Sequence, residues 1–194
     1  MNLLYVDCCI SLHEESRTCR LANTFLNAWK AAHPLSTVEV LDIRSMDLRP
    51  LDADAVLARE TAAQAGRADA PELALAKQFA RADRIVISAP FWELSFPAKL
   101  RTYLEHVSVA GVTFTYSDHG NVGLCNAGKL LFLSTAGGPF APNCGSDHLR
   151  ALCGLFGISS YEFIGAPMQD VQEVDSAAIL EGALTEARTL AHEF

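Results

Sequence analysis

Apolar positions along this chain come in two patterns. Short unbroken runs, Leu3 to Val6, Ile85 to Ala89 and Leu130 to Leu133, have the length of strands covered on both faces of a parallel sheet. Longer stretches repeat apolar residues at helical spacing, as in Leu21, Ala22, Phe25, Leu26 and Trp29, and again in Ile179, Leu180, Ala183, Leu184 and Ala187. Val38 to Asp42 alternates like a half-buried strand near a sheet edge, and a short strand fits Tyr161 to Gly165. Residues 53–82 are alanine-rich and charged, which predicts two helices broken at Ala70 and Pro71. Ser95 as N-cap and Pro97 as an early helical residue predict a helix from about Pro97 to Val109, carrying Leu100, Tyr103, Leu104 and Val107 on one face. Helical spacing returns over Leu149 to Phe156, and the last helix is expected from Asp175 to His192. Between them, Val112 to Tyr116 and the stretch to Gly123 suggest a hairpin or extended excursion before Lys129.

Five strand segments alternating with helices predict one α/β domain over residues 1–194, a flavodoxin-like doubly wound sandwich. Its five-stranded parallel sheet should have the order 2-1-3-4-5, with helices on both faces. In that order ligands settle outside the carboxyl ends of the strands, so the loops after strands one, three and four should meet in space.

The composition narrows the partners. A chain of 194 residues, 50% hydrophobic and 20% charged, is long enough for one sizeable core. A net charge of −8 argues against nucleic-acid binding, which needs a basic surface to displace counterions. No apolar run reaches bilayer length and the first residues lack a basic leader, so a cytoplasmic protein without a membrane partner is expected. The six cysteines show no C-x-x-C pair and no zinc-like histidine spacing, so no metal site is expected. Cys8 and Cys9 end the first strand, and Cys19 falls in a first helical turn, where the dipole lowers a thiol pKa. His13 lies in the first loop, and the other histidines have no triad or metal spacing.

Each of the three loops admits a plain and a chemical reading. The first runs from Asp7 to Arg20 without a glycine, which disfavours both the dinucleotide fingerprint and the nucleoside-triphosphate loop. Ser16, Arg17 and Thr18 at its end either cap a helix or hold a phosphate monoester with amides and hydroxyls. The second loop, Pro90, Phe91, Trp92, Glu93 and Leu94, either caps the core or lies against a planar cofactor. The third, Thr135, Ala136, Gly137 and Gly138, is either an ordinary turn or a close backbone approach to a ligand. Converging at one edge, the three favour a mononucleotide with a flat ring.

Two stretches, Ala89-Pro-Phe-Trp-Glu-Leu-Ser-Phe-Pro-Ala-Lys-Leu-Arg-Thr-Tyr-Leu-Glu105 and Ala110-Gly-Val-Thr-Phe-Thr-Tyr116, resemble the FMN-dependent NADH-azoreductases, also described as NAD(P)H:quinone oxidoreductases. The resemblance spans essentially the whole chain. It implies FMN as cofactor, NADH or NADPH as electron donor, and a quinone or azo compound as acceptor. Hydride would pass through flavin N5 in a ping-pong sequence. The resemblance places Ser16, Arg17 and Thr18 at the phosphate, with Cys8 or Cys9 nearby. It places Pro90 to Leu94 along the isoalloxazine and Thr135 to Gly138 at its pyrimidine edge. Phe114 or Tyr116 would cover the ring from the same or a partner subunit, and a homodimer is expected. Two positions depart from the family pattern, Glu93 for asparagine and Ala136 for a frequent arginine. An ionised Glu93 facing the ring would disfavour the anionic reduced flavin and lower its potential; a Glu93 facing solvent would offer only its amide. Two other classes share the fold prediction: an electron carrier that binds FMN but reacts poorly with NADH, and a cofactor-free thiol-based redox sensor.

Overall fold

In the computed structural model, which describes residues 1–10, 16–67 and 69–194, five parallel strands form one sheet in the order β2-β1-β3-β6-β7. These are β1 (Asn2–Asp7), β2 (Thr37–Asp42), β3 (Arg84–Ser88), β6 (Lys129–Thr135) and β7 (Ser160–Ala166). The order is the expected 2-1-3-4-5 once the two short hairpin strands, β4 (Phe114–Ser117) and β5 (Gly120–Gly123), are set aside. His13 lies outside the described residues.

The side-chain period of the strands builds two cores. Leu4, Val6, Ile85, Ile87, Leu130 and Phe132 point to one face, where α3 (Ala74–Arg81), α4 (Ala98–Val107) and α5 (Cys144–Phe156) supply Phe79, Tyr103 and Phe156. Leu3, Tyr5, Val86, Leu131 and Leu133 point to the other, covered by α1 (Arg17–Ala32) and α6 (Ser176–Glu193) through Phe25, Trp29, Leu184 and Phe194. α2 (Ala53–Gln64) lies outside the first layer in a small cluster with Leu73 and Val109.

Several element ends differ from the periodicity, each for a local reason. α4 stops at Val107 because the Thr113 hydroxyl, arriving from the following segment, donates to the Val107 carbonyl at 2.8 Å and accepts from the Val109 amide at 3.0 Å. α5 begins five residues before Leu149, at Cys144, because the Asn143 side chain accepts from the Ser146 amide and starts the helix with a polar turn. The break between the two helices of residues 53–82 is longer than Ala70 and Pro71: α2 ends at Gln64, and a 3-10 turn over Pro71–Leu73 leads into α3. α6 runs from Ser176 to Glu193, with Asp175 as its cap.

Candidate cofactor site

Strand register sets the site. Asp7 pairs with Ser88, and Ser88 with Leu133, so β1, β3 and β6 release their chains at one level. In the first loop Cys8 donates its amide to the Ser88 carbonyl and buries its side chain in the core beside Leu100, where desolvation pushes the thiol up to about 12. Cys9 turns the other way, with its sulfur 3.2 Å from the Ser88 hydroxyl, itself 2.8 Å from the Tyr5 hydroxyl. Cys8 thus faces the core, and Cys9 faces the start of α1.

Ser16 is the N-cap of α1. Its side chain accepts from the Cys19 amide at 3.3 Å and its carbonyl from the Arg20 amide at 2.9 Å, so the amides of Arg17 and Thr18 have no acceptor within the helix. The Thr18 hydroxyl lies 2.6 Å from that of Thr135, which joins the first loop to the third. Arg17 reaches Asp170 at 2.7 Å, an exposed ion pair.

The second loop is tied to the third as well, since the Phe91 amide donates to the Thr135 carbonyl at 3.0 Å. Trp92 and Ser95 exchange backbone bonds of 3.1 and 2.8 Å, and the two residues they enclose, Glu93 and Leu94, have φ of 50° and 63°. Left-handed backbone at two successive residues suits Asn-Gly; a glutamate and a leucine there cost about 1 kcal/mol each. Surrounding contacts hold the turn in place: the Cys144 amide donates to the Leu94 carbonyl at 2.9 Å, and the Phe91 ring meets Phe140 edge-on at 5.1 Å. Pro90 is half-buried behind the turn, Glu93 is exposed, and Trp92 and Leu94 stand 47% and 48% exposed, more than core-capping residues would.

The third loop is fastened to a segment that sequence reasoning missed. Ala136 donates to Ala166 and accepts from Gln169, Gly138 accepts from Met168 and Gly137 from Asp170. Pro167 to Asp170, the exit of β7, thus forms a fourth wall, with Met168 at φ 60° and Gln169 buried. Its sequence clues were Pro167, Asp170 and its position after the last strand. A Cβ on Gly137 would stand 2.5 Å from the Asp170 carboxylate, so glycine allows this close approach. Among the described residues, the amides of Glu93, Leu94, Gly137 and Gly138 have no acceptor.

Phe114 and Tyr116 are not part of this cluster. Their hairpin packs on the carboxyl-terminal end of α5, where Gly123 meets Gly157 and Cys125 donates to Phe156. That end lies about 20 Å of helix away from the Asn143 cap beside the loops. Tyr116, 72% exposed, faces outward.

Beneath the first loop, ligand atoms of Asp7, Cys9 and Cys19 lie within 4.8 Å of one another. Asp7 is occupied: it accepts from the Cys9 amide at 2.9 Å and lies 3.4 Å from the Arg44 guanidinium. The interaction between the two neighbouring thiols acts most strongly on both. It holds Cys19 below the ordinary thiol range, helped by Ser16 and opposed by burial, and together with desolvation drives Cys9 well above it.

The profile of the flavodoxin-like fold family matches residues 1–190. A protein named FMN-dependent NADH:quinone oxidoreductase from Clostridium beijerinckii is 33% identical over 198 aligned residues, covering 99% of this chain and 98% of its own. The crystal structure of an azoreductase from Bacillus anthracis strain Sterne superposes with a TM-score of 0.90 at 27% identity over the full length of both chains. An FMN-dependent NADH-azoreductase from the Ames Ancestor strain, in complex with FMN, shares the fold at a TM-score of 0.86 and 20% identity, covering 100% of this chain and 99% of its own. No helix among the described residues is long and apolar enough to cross a membrane. By sequence over its whole length and by the order of its strands, the chain belongs to the flavodoxin-like family, among the FMN-dependent NADH:quinone oxidoreductases and azoreductases.

Proposed function

We propose that the chain binds FMN across the three loops and uses it to pass electrons from NADH or NADPH to a quinone or azo compound. The observation that carries this reading is the joining of all three loops at one strand edge, through Thr18 to Thr135 and Phe91 to Thr135, with amides left on each that have no acceptor among the described residues. The donor set fits a phosphorylated flat ring. The amides of Arg17 and Thr18, with the Thr18 hydroxyl, suit a phosphate at the positive end of α1. Trp92 and Leu94 offer exposed apolar surface, and the amides of Glu93, Leu94, Gly137 and Gly138 offer donors to ring carbonyls and nitrogens without reorganisation. Bound there, FMN would supply two-electron hydride chemistry at N5, serving donor and acceptor in turn as a ping-pong sequence requires.

The protein's own part is placement and exclusion of water. The Thr18–Thr135 bond fixes the distance between the phosphate end and the ring end of the site. The turn at Glu93 and Leu94, braced by Cys144, holds its amides at a set angle. Because Phe114 and Tyr116 stand away from their own chain's loops, they would cover the ring of a second copy, which makes a homodimer the working form.

The test is a titration of flavin-free protein with FMN, followed by NADH oxidation with a panel of quinones and azo dyes. One FMN per chain is expected to bind, with acceptor-dependent turnover. Thr18→Val should weaken FMN binding about tenfold, the equivalent of one hydrogen bond to a charged group. A flavin-loaded protein that oxidised NADH no faster than free FMN would leave only the electron carrier. A chain that took up no flavin would end the proposal.

Glu93→Asn has two expected effects. Asparagine tolerates left-handed backbone, so the unfolding free energy should rise by about 0.5–1 kcal/mol in urea denaturation. Removing the carboxylate should also raise the midpoint potential of bound FMN; a potential that stayed put or fell would show that the charge does not reach the ring.

A further inference from the structure

Cys19 lines an open cavity of about 890 Å³ between α1 and α6, whose walls include Arg17, Arg20 and Asn23. Cys9 lies behind it, 1% exposed, with its sulfur near that of Cys19 and bonded to Ser88. The Ser88 hydroxyl lies within hydrogen-bond distance of both the Tyr5 hydroxyl and the Cys9 sulfur, so the buried thiol ends a polar chain beside Cys19. An accessible sulfur on a cavity wall, with a buried thiol within 4.8 Å behind it, is the arrangement of an attacking and a resolving cysteine. A metal ion is the weaker occupant, because the Asp7 carboxylate it needs is already paired with Arg44.

We infer that Cys9 and Cys19 are a thiol-oxidation site that exchanges with low-molecular-weight disulfides such as glutathione disulfide. The Cys19 thiolate attacks one sulfur of the small disulfide and expels one thiolate, which takes up a proton. Cys9 then loses its proton and attacks the Cys19 sulfur, closing the protein disulfide and releasing the second small thiol. Two protein thiols are oxidised, one small disulfide is reduced to two thiols, and two electrons and two protons change hands. The new bond would tie the end of β1 to the first turn of α1, across the segment that carries Ser16 and Thr18. Resting on the FMN reading, one consequence is that a bound phosphate beside Cys19 would disfavour its thiolate and slow the exchange.

The full chain, in a Cys144→Ser background that removes the exposed thiol, is equilibrated with glutathione disulfide, with and without FMN, then alkylated and mapped by mass spectrometry. The expected product has lost two hydrogens and yields a peptide linking Cys9 to Cys19. With Cys9→Ser added, glutathione should remain attached to Cys19; with Cys19→Ser added, no adduct should form on Cys9. Complete alkylation of both cysteines after equilibration, or a linked peptide joining another pair, would overturn the inference. Equal rates with and without FMN would remove only the coupling to cofactor, since oxidation in flavin-free protein is read separately.

Discussion

Replacing Phe132 with alanine should lower the unfolding free energy by about 3–5 kcal/mol, the cost of a cavity at a fully enclosed aromatic. Phe132 is 1% exposed at the middle of β6, in register between Ile87 and Phe163. Its ring lies 6.3 Å from Phe96 and 5.6 Å from Phe163, its neighbour across the sheet. Urea denaturation should show a lower midpoint with an unchanged slope, because the exposed surface on unfolding is the same. Phe96 follows directly on the strained Trp92–Ser95 turn, so loosening its support should also weaken FMN binding. A change below about 1 kcal/mol would mean that the ring is not at the centre of this packing.

Gly123→Ala is expected to cost about 1–3 kcal/mol by overpacking, although the substitution adds one methyl to a short edge hairpin. A Cβ there would overlap the backbone of Phe156 and Gly157, where no side chain can swing aside. Gly157 is itself the left-handed cap of α5 at φ 79°, so the helix end has no freedom to retreat. The hairpin must lift, and Phe114 and Tyr116 move with it. If these residues serve a second subunit, the variant should retain FMN affinity and lose turnover and dimer together, as light scattering with steady-state kinetics would show. Loss of FMN affinity with the dimer intact would contradict that assignment.

The sheet was legible because its central strands are unbroken apolar runs that no other burial would tolerate. Ile85 to Ala89 and Leu130 to Leu133 need cover on both faces, and the intervening helical stripes provide it. That the loops after β1, β3 and β6 meet could be read from their position after those strands, together with turn residues or aromatics. The fourth wall, Pro167 to Asp170, could not, because it acts through backbone bonds to Ala136, Gly137 and Gly138 that leave little trace in side-chain identity. Helix ends were misplaced where a remote group decided them, as Thr113 does for α4. The strain at Glu93 and Leu94 was invisible for the opposite reason: neither residue favours the backbone it adopts, so tertiary contacts overrule local preference. The nearness of Cys9 to Cys19 is a property of the folded chain, which spacing along the sequence does not report.

The most direct test of the central claim is anaerobic mixing of FMN-loaded protein with NADH or NADPH, followed by a quinone in a second mix. Bleaching of the flavin absorbance by the nicotinamide, at a rate that saturates with its concentration, and full recovery on adding the quinone are predicted. A flavin that stays oxidised while bound to the protein would contradict the account.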